Sequence, residues 1–80
     1  MLSASASPTT GAAPLTVSLV ANGDFFECEW YRDDGGVARG FAKGRTVTTT
    51  IDRPGAHTFK VVAYGGADAG EASCSVTATK

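Results

Sequence analysis

Along most of this chain, hydrophobic and polar positions alternate with period two, and no ten-residue window carries the 3.6-residue period of a helix. Leu15 to Val20 sets Leu15, Val17 and Leu19 against Thr16 and Ser18, the pattern of a half-buried strand. Phe25 to Arg32 predicts the next, with Phe26, Cys28 and Trp30 on one side and Phe25, Glu27, Glu29 and Tyr31 on the other. The glutamates mark that second side as the wet one. Arg45 to Ile51 turns Val47, Thr49 and Ile51 inward, and Ala56 to Tyr64 does so with Phe59, Val61 and Ala63. Its outward set is Thr58, Lys60, Val62 and Tyr64. Glu71 to Thr79 closes the chain with Ala72, Cys74, Val76 and Ala78 inward. Leu2 to Ser7 reads as a short first strand ending at Pro8, and Val37 to Phe41 as a short edge strand.

Turn chemistry separates these runs: Thr9 to Pro14, Asn22-Gly23-Asp24, Asp33-Asp34-Gly35-Gly36, Arg53-Pro54-Gly55 and Gly65 to Gly70. Six or seven short strands at regular spacing, around one central tryptophan, predict an all-β antiparallel sandwich of about seven strands. The expected core is Leu15, Val17, Leu19, Trp30, Val47, Ile51, Phe59, Val61 and Val76.

The 80 residues predict one domain over 1–80. A hydrophobic share of 42% is too high for a disordered chain. Seven basic and eight acidic residues leave a formal charge of -1, without the basic face that nucleic acid or an acidic membrane would require. No run approaches the ~20 apolar residues of a membrane helix. Met1 to Ala6 has neither the basic nor the apolar part of a signal peptide. The chain is therefore expected either to work without export or to be part of a longer secreted protein, and the Met start favours the first.

Several segments resemble the PKD family of immunoglobulin-like domains. Ala6 to Val17, with its Pro8, small-residue loop and Pro14-Leu15-Thr16-Val17, resembles the family's opening. Trp30 sits where the family places its core tryptophan. Arg53-Pro54-Gly55-Ala56-His57-Thr58-Phe59-Lys60-Val61 resembles its Pro-Gly-x-Tyr-x-Val-x-Leu segment, with His57 in place of the usual Tyr. Ala72 to Thr77 also fits. The family's Trp-Asp-Phe-Gly-Asp-Gly turn is here Trp30-Tyr31-Arg32-Asp33-Asp34-Gly35, so that loop is rebuilt. The resemblance implies an Ig-like sandwich used for binding or spacing, found on phage virions and in secreted bacterial proteins.

Candidate chemistry is sparse. Any Ser-His-Asp arrangement would have to use His57, the single histidine, which begins a strand after a turn and reads as structural or solvent-facing. No CxxC pair supports zinc, and aspartates in turns (Asp24, Asp33, Asp34, Asp68) more often serve their own backbone than calcium. No enzyme activity and no cofactor are expected. Cys28 and Cys74 fall on the Trp strand and the last strand, which in such a sandwich flank Ala56 to Tyr64 in one sheet, over Ala63. Strands two apart lie about 9.5 Å from each other, beyond the ~7 Å a disulfide spans, so both are expected as reduced core thiols.

The expected binding residues are Phe25, Val62 and Tyr64, clustered on the wet face of adjacent strands, and Phe41, which lies between Arg39 and Lys43 in a Gly-flanked stretch. A tail or the Val37 to Phe41 segment folding over the patch is the competing reading, and a plug at the sandwich end is the favoured one for Phe41. The expected function is a non-catalytic structural protein of a virion surface, a small capsid decoration protein docking on the major capsid protein, with bacterial surface carbohydrate as a further partner. The alternative is a spacer or carbohydrate- or protein-binding module of a secreted hydrolase or adhesin, at the cell surface or outside the cell.

Overall fold

The computed structural model describes residues 1–34 and 37–80. Eight strands follow in order: β1 (Ser3–Ser7), β2 (Thr10–Ala12), β3 (Leu15–Asn22), β4 (Glu27–Asp34), β5 (Val37–Lys43), β6 (Thr46–Ile51), β7 (Gly55–Tyr64) and β8 (Gly70–Thr79). They form two sheets, ordered β1-β3-β6 and β2-β8-β7-β4-β5. This is the all-β sandwich that the alternation predicts, of the immunoglobulin-like kind that the resemblance implies.

Each buried face follows from period two. Val17, Leu19 and Ala21 of β3, Cys28 and Trp30 of β4, Ile51 of β6, Phe59, Val61 and Ala63 of β7, and Val76 and Ala78 of β8 turn into one core. Leu15, Val47, Ala72 and Cys74 pack against its margin, half-buried. Trp30 is fully enclosed, and its indole N–H donates to the Gly44 carbonyl at 2.9 Å. A buried indole requires such an acceptor.

Three local features differ from the alternation reading. The Thr9–Pro14 stretch holds β2, which pairs in parallel with β8, Thr10 opposite Thr77. The chain leaves one sheet after Ser7 and joins the other at Thr10, so a three-residue strand closes a margin that would otherwise be loop. Val37–Lys43 forms a complete edge strand, including Phe41, with a register shift between Trp30 and Tyr31. Within the expected turn at Asp33-Asp34-Gly35-Gly36, the aspartates end β4, and Gly35 and Gly36 lie outside the described residues.

Cys28 and Cys74 are free thiols on strands that flank β7. Cys28 stands opposite Ala63, as the sequence suggests, but Cys74 stands opposite Phe59, four residues along β7. The lateral and axial offsets together separate them by roughly 16 Å, from ordinary strand spacing and rise. Burial raises the Cys74 thiol pKa.

Two predictions follow from the core. Trp30→Ala removes the largest buried side chain and leaves the Gly44 carbonyl without its indole donor. It should cost about 3–5 kcal/mol, read from urea unfolding midpoints. Alkylation under denaturing, non-reducing conditions should add a label to each cysteine in the mass spectrum. An unlabelled chain two protons lighter than the reduced one would contradict the thiol assignment.

Candidate functional site

The strand pattern breaks between β3 and β4. Asn22 ends β3 and Glu27 begins β4, so Gly23 to Phe26 is irregular and the parity of β4 does not extend back through it. Phe25 consequently turns inward, at 4% exposure, and Phe26 turns outward, at 86%. This reverses the expected placement: Phe25 is a core residue and no part of the exposed patch. Arg45 seals it from outside. Its guanidinium carbon lies 4.0 Å from the Phe25 ring centroid, and its two terminal nitrogens donate to the Gly23 carbonyl at 3.1 Å and the Phe25 carbonyl at 2.9 Å. Stacking and two charge-assisted bonds from one planar group make this a clamp that Lys cannot reproduce.

The facing loop, Gly65 to Ala69, is tied to the same segment. The Asp68 N–H donates to the Asp24 carbonyl at 2.9 Å, and the Asp24 N–H donates back to Asp68 Oδ2 at 2.7 Å. The N-terminal ammonium lies 3.1 Å from Asp68 Oδ1. The Asp24 amide, with help from that ammonium, holds the Asp68 carboxyl below its ordinary pKa. Close approach of the two loops requires glycine at 66, since a Cβ there would collide with the Asp24 carbonyl and the Phe25 Cα, and its φ is +86°.

This brace presents Phe26. Its N–H donates to the Tyr64 carbonyl at 3.0 Å, and its ring lies over Gly65, where a Cβ would strike it. Tyr64 itself is 49% exposed. Half-buried Val62 follows on the same face, opposite Glu29 on β4 and Glu71 on β8. Next comes Tyr31, whose hydroxyl donates to Glu29 Oε1 at 2.7 Å. Gly40 on β5 leaves room for that pair, because a Cβ would come within 3.0 Å of Glu29 Oε2. The Glu29 carboxylate, with a smaller contribution from the Tyr64 side chain, raises the Tyr31 phenol well above its ordinary pKa. The Lys60–Glu71 pair, at 3.2 Å and exposed at both ends, borders the stripe and adds little stability. The outer face of the five-stranded sheet thus carries Tyr64, Val62 and Tyr31 among charges, and Phe26 is exposed at its end, beside Gly65.

Sequence reasoning placed Tyr64 and Val62 here, and missed Phe26 and Tyr31. Tyr31 was already on the wet side by parity. For Phe26 the usable signal was the Asn22-Gly23-Asp24 break, after which alternation carries no parity information. Phe41 is on the other face of its sheet. Its ring meets Phe59 edge-on at 5.9 Å, and the Arg32 guanidinium lies 5.8 Å from its centroid. Half-buried and packed on the core, it sits as a plug rather than as a contact tip.

His57 Nε2 lies 2.8 Å from the Arg53 carbonyl, so it carries the proton and closes the Arg53–Gly55 turn. Beside it a 420 Å³ depression is lined by Arg32, Asp33, Asp52, Arg53 and Thr58 among others. No nucleophile stands within hydrogen-bond reach of the histidine among the described contacts. Nor do the described residues include a metal-binding cluster of histidine, cysteine and carboxylate side chains.

The PKD domain family model matches residues 1–79. Comparison with curated proteins and with solved structures gives no match.

Two measurements check this site. Phe25→Ala should lower unfolding stability by about 3 kcal/mol or more, and Phe26→Ala by less than about 1 kcal/mol. Equal costs would show that the two rings are placed otherwise. In a spectrophotometric pH titration of the phenols, Glu29→Gln should bring the Tyr31 ionisation down toward the ordinary value of about 10. The sign for stability follows from the raised folded pKa. The Tyr31–Glu29 contribution is present below pH ~10 and is lost as pH climbs from there toward the folded value.

Proposed function

The chain belongs to the PKD domain family, whose members are generally non-catalytic binding and spacer modules, and within that class we propose that it docks on a repeating protein surface, the major capsid protein of a virion, as a decoration protein. The observation that carries this reading is Phe26, a large aromatic side chain that the fold holds in place and leaves 86% exposed. Rigid aromatic groups lose little entropy on binding and dominate interface energetics. Tyr64 and Val62 continue the exposed apolar surface along β7 with Glu27, Glu29 and Lys60 beside them, the mixture of apolar and polar groups found in protein interfaces. The chain exposes 4650 Å² in all, and an ordinary interface takes about 800 Å² per partner. One face of this sheet is large enough to supply that. Repetition on a lattice raises the occupancy of a docking protein whose single contact is modest. Bacterial surface carbohydrate is the second ligand class proposed, reached from the surfaces that remain exposed after docking.

A second reading has its own support. The N-terminal ammonium contacts Asp68 beside the β7–β8 loop, whereas Thr79 ends β8 near Gly55, at the opposite end of a body 40 Å long. A chain that enters at one end and leaves at the other suits a spacer between flanking domains of a secreted hydrolase or adhesin.

The test is occupancy on purified particles, with folding monitored separately. Phe26→Ala and Tyr64→Ala should each lower occupancy, the first by about tenfold or more, since a central aromatic contributes ~2 kcal/mol. Full occupancy for both and for the double variant would sink the aromatic face as the docking surface. If the chain serves as a spacer, deleting it should bring its flanking domains closer by small-angle scattering, and the aromatic variants should leave that distance unchanged.

A further inference from the structure

The strands at the sheet margins are unequally protected. An open edge presents unpaired backbone groups, which proteins guard with charge, proline, bulges or brevity. β5 carries Arg39 and Lys43 and pairs with β4 through a register shift. β2 has three residues between Pro8 and Pro14, and β1 runs into Pro8. β6 has none of these guards: Thr46-Val47-Thr48-Thr49-Thr50-Ile51 contains no charge and no proline, and its register on β3 is unbroken.

One hydrogen bond fixes which backbone groups of β6 face outward. The Ala21 N–H donates to the Arg45 carbonyl at 2.8 Å, and these residues extend the β3–β6 register by one pair. Hydrogen-bonded and non-bonded pairs alternate along an antiparallel ladder. Val47, Thr49 and Ile51 therefore bond to β3, and Thr46, Thr48 and Thr50 turn their N–H and C=O groups to the open side.

The core beneath this edge is incompletely sealed. β1 lies against β8, so β6 borders the side on which β4 and β5 end the other sheet. There Val47 and Thr49 point inward yet stay half-buried, and so does Phe41. The five-stranded sheet carries β5 along this side. That leaves a place for one further strand above β5, where a second sandwich would meet β5 itself.

We propose that the β6 edge receives an extended, uncharged segment of a partner protein as a fourth strand of the smaller sheet. Thr46, Thr48 and Thr50 supply the backbone bonds, and the segment's alternate apolar side chains cover Val47, Thr49 and Phe41. Thr46–Ile51 carries no charge of its own, and over Val47 and Thr49 a charged inward residue would be desolvated, so the segment is uncharged there; Arg32 and Asp52 lie only toward the Thr50 end. β3 shows the complement on the other edge of β6: Leu15, Val17 and Leu19 inward, Thr16 and Ser18 outward. This site is on the opposite sheet from Phe26 and Tyr64 and rests on no part of the docking reading.

The probe is a synthetic peptide with the β3 sequence, Leu15–Asn22, added to the whole chain, with amide hydrogen exchange as the readout. In the free chain the Thr46, Thr48 and Thr50 amides should exchange fast and the Val47 and Thr49 amides slowly. Peptide at roughly millimolar concentration should slow the fast set by on the order of tenfold. Thr48→Pro removes an outward N–H while sparing the β3 ladder, so the variant should fold by circular dichroism and lose the effect. If it does not fold, Thr48→Lys serves instead. Phe26→Ala should respond to peptide as the parent chain does. The proposal is overturned by slow Thr46, Thr48 and Thr50 amides in the free chain, by no slowing with peptide, or by slowing that survives the edge variant. It is equally overturned if the 8.1 kDa mass doubles with concentration and that dimer alone protects the edge.

Discussion

The bond from the Trp30 indole to the Gly44 carbonyl holds the sandwich in register. Gly44 stands between β5 and β6, where the chain leaves the five-stranded sheet for the three-stranded one. Its carbonyl takes both the indole N–H at 2.9 Å and the Cys28 thiol at 3.1 Å, and its own N–H returns to the Cys28 carbonyl at 3.2 Å. The crossover is therefore fastened to β4, an interior strand of the five-stranded sheet. A sandwich held by apolar contact alone permits the layers to slide, because hydrophobic burial has no direction. A buried donor with one available acceptor permits a single arrangement. Gly44 has φ of +123°, a conformation other residues rarely adopt, so the position combines a backbone requirement with the hydrogen-bond one.

Arg45 carries that constraint outward from the crossover. It follows Gly44 directly, and its guanidinium closes over Phe25 and bonds the carbonyls of the β3–β4 connection. That connection is zipped to the β7–β8 loop through Asp24 and Asp68, and the pair of loops displays Phe26. Core tryptophan, crossover, arginine and exposed phenylalanine thus form one continuous chain of contacts. The rigidity of the candidate binding face is a consequence of how the core is tied, and owes little to the face's own residues.

What was legible in the sequence, and what was not, divides along the same line. Period two reports which side of a regular strand is wet, so β3, β6, β7 and β8 could be read residue by residue, and the family resemblance agreed with them. It is silent where pairing lapses. Phe25 and Phe26 are chemically identical neighbours, and only the irregular backbone from Gly23 to Phe26 decides which is buried; the deciding partner, Arg45, is far away in sequence. The parallel pairing of β2 was hidden for a related reason. Thr10 to Ala12 is held by ladder bonds to β8 rather than by a buried face, so hydrophobic pattern carries no trace of it. Phe41 was read in a Gly-flanked stretch, but Gly40 marks close packing beneath Tyr31 and Glu29 and does not interrupt the strand.

The two outer faces differ in the kind of recognition their chemistry permits. The five-stranded sheet shows aromatic rings among charges, a surface that can gain free energy by burying side chains. The three-stranded sheet shows Ser5, Ser7, Thr16, Ser18, Thr46, Thr48 and Thr50, small hydroxyls with little area to bury. Association on that sheet must draw on backbone groups at its edge, which are insensitive to most side-chain change. On the aromatic face the reverse holds. Phe26 contributes little to folding, so substitutions there alter binding at small thermodynamic cost, whereas Phe25, one residue earlier, is tied to the core. Adjacent positions of the same residue type are thereby under opposite constraints, and a partner-specific surface can change while the clamp that supports it stays fixed.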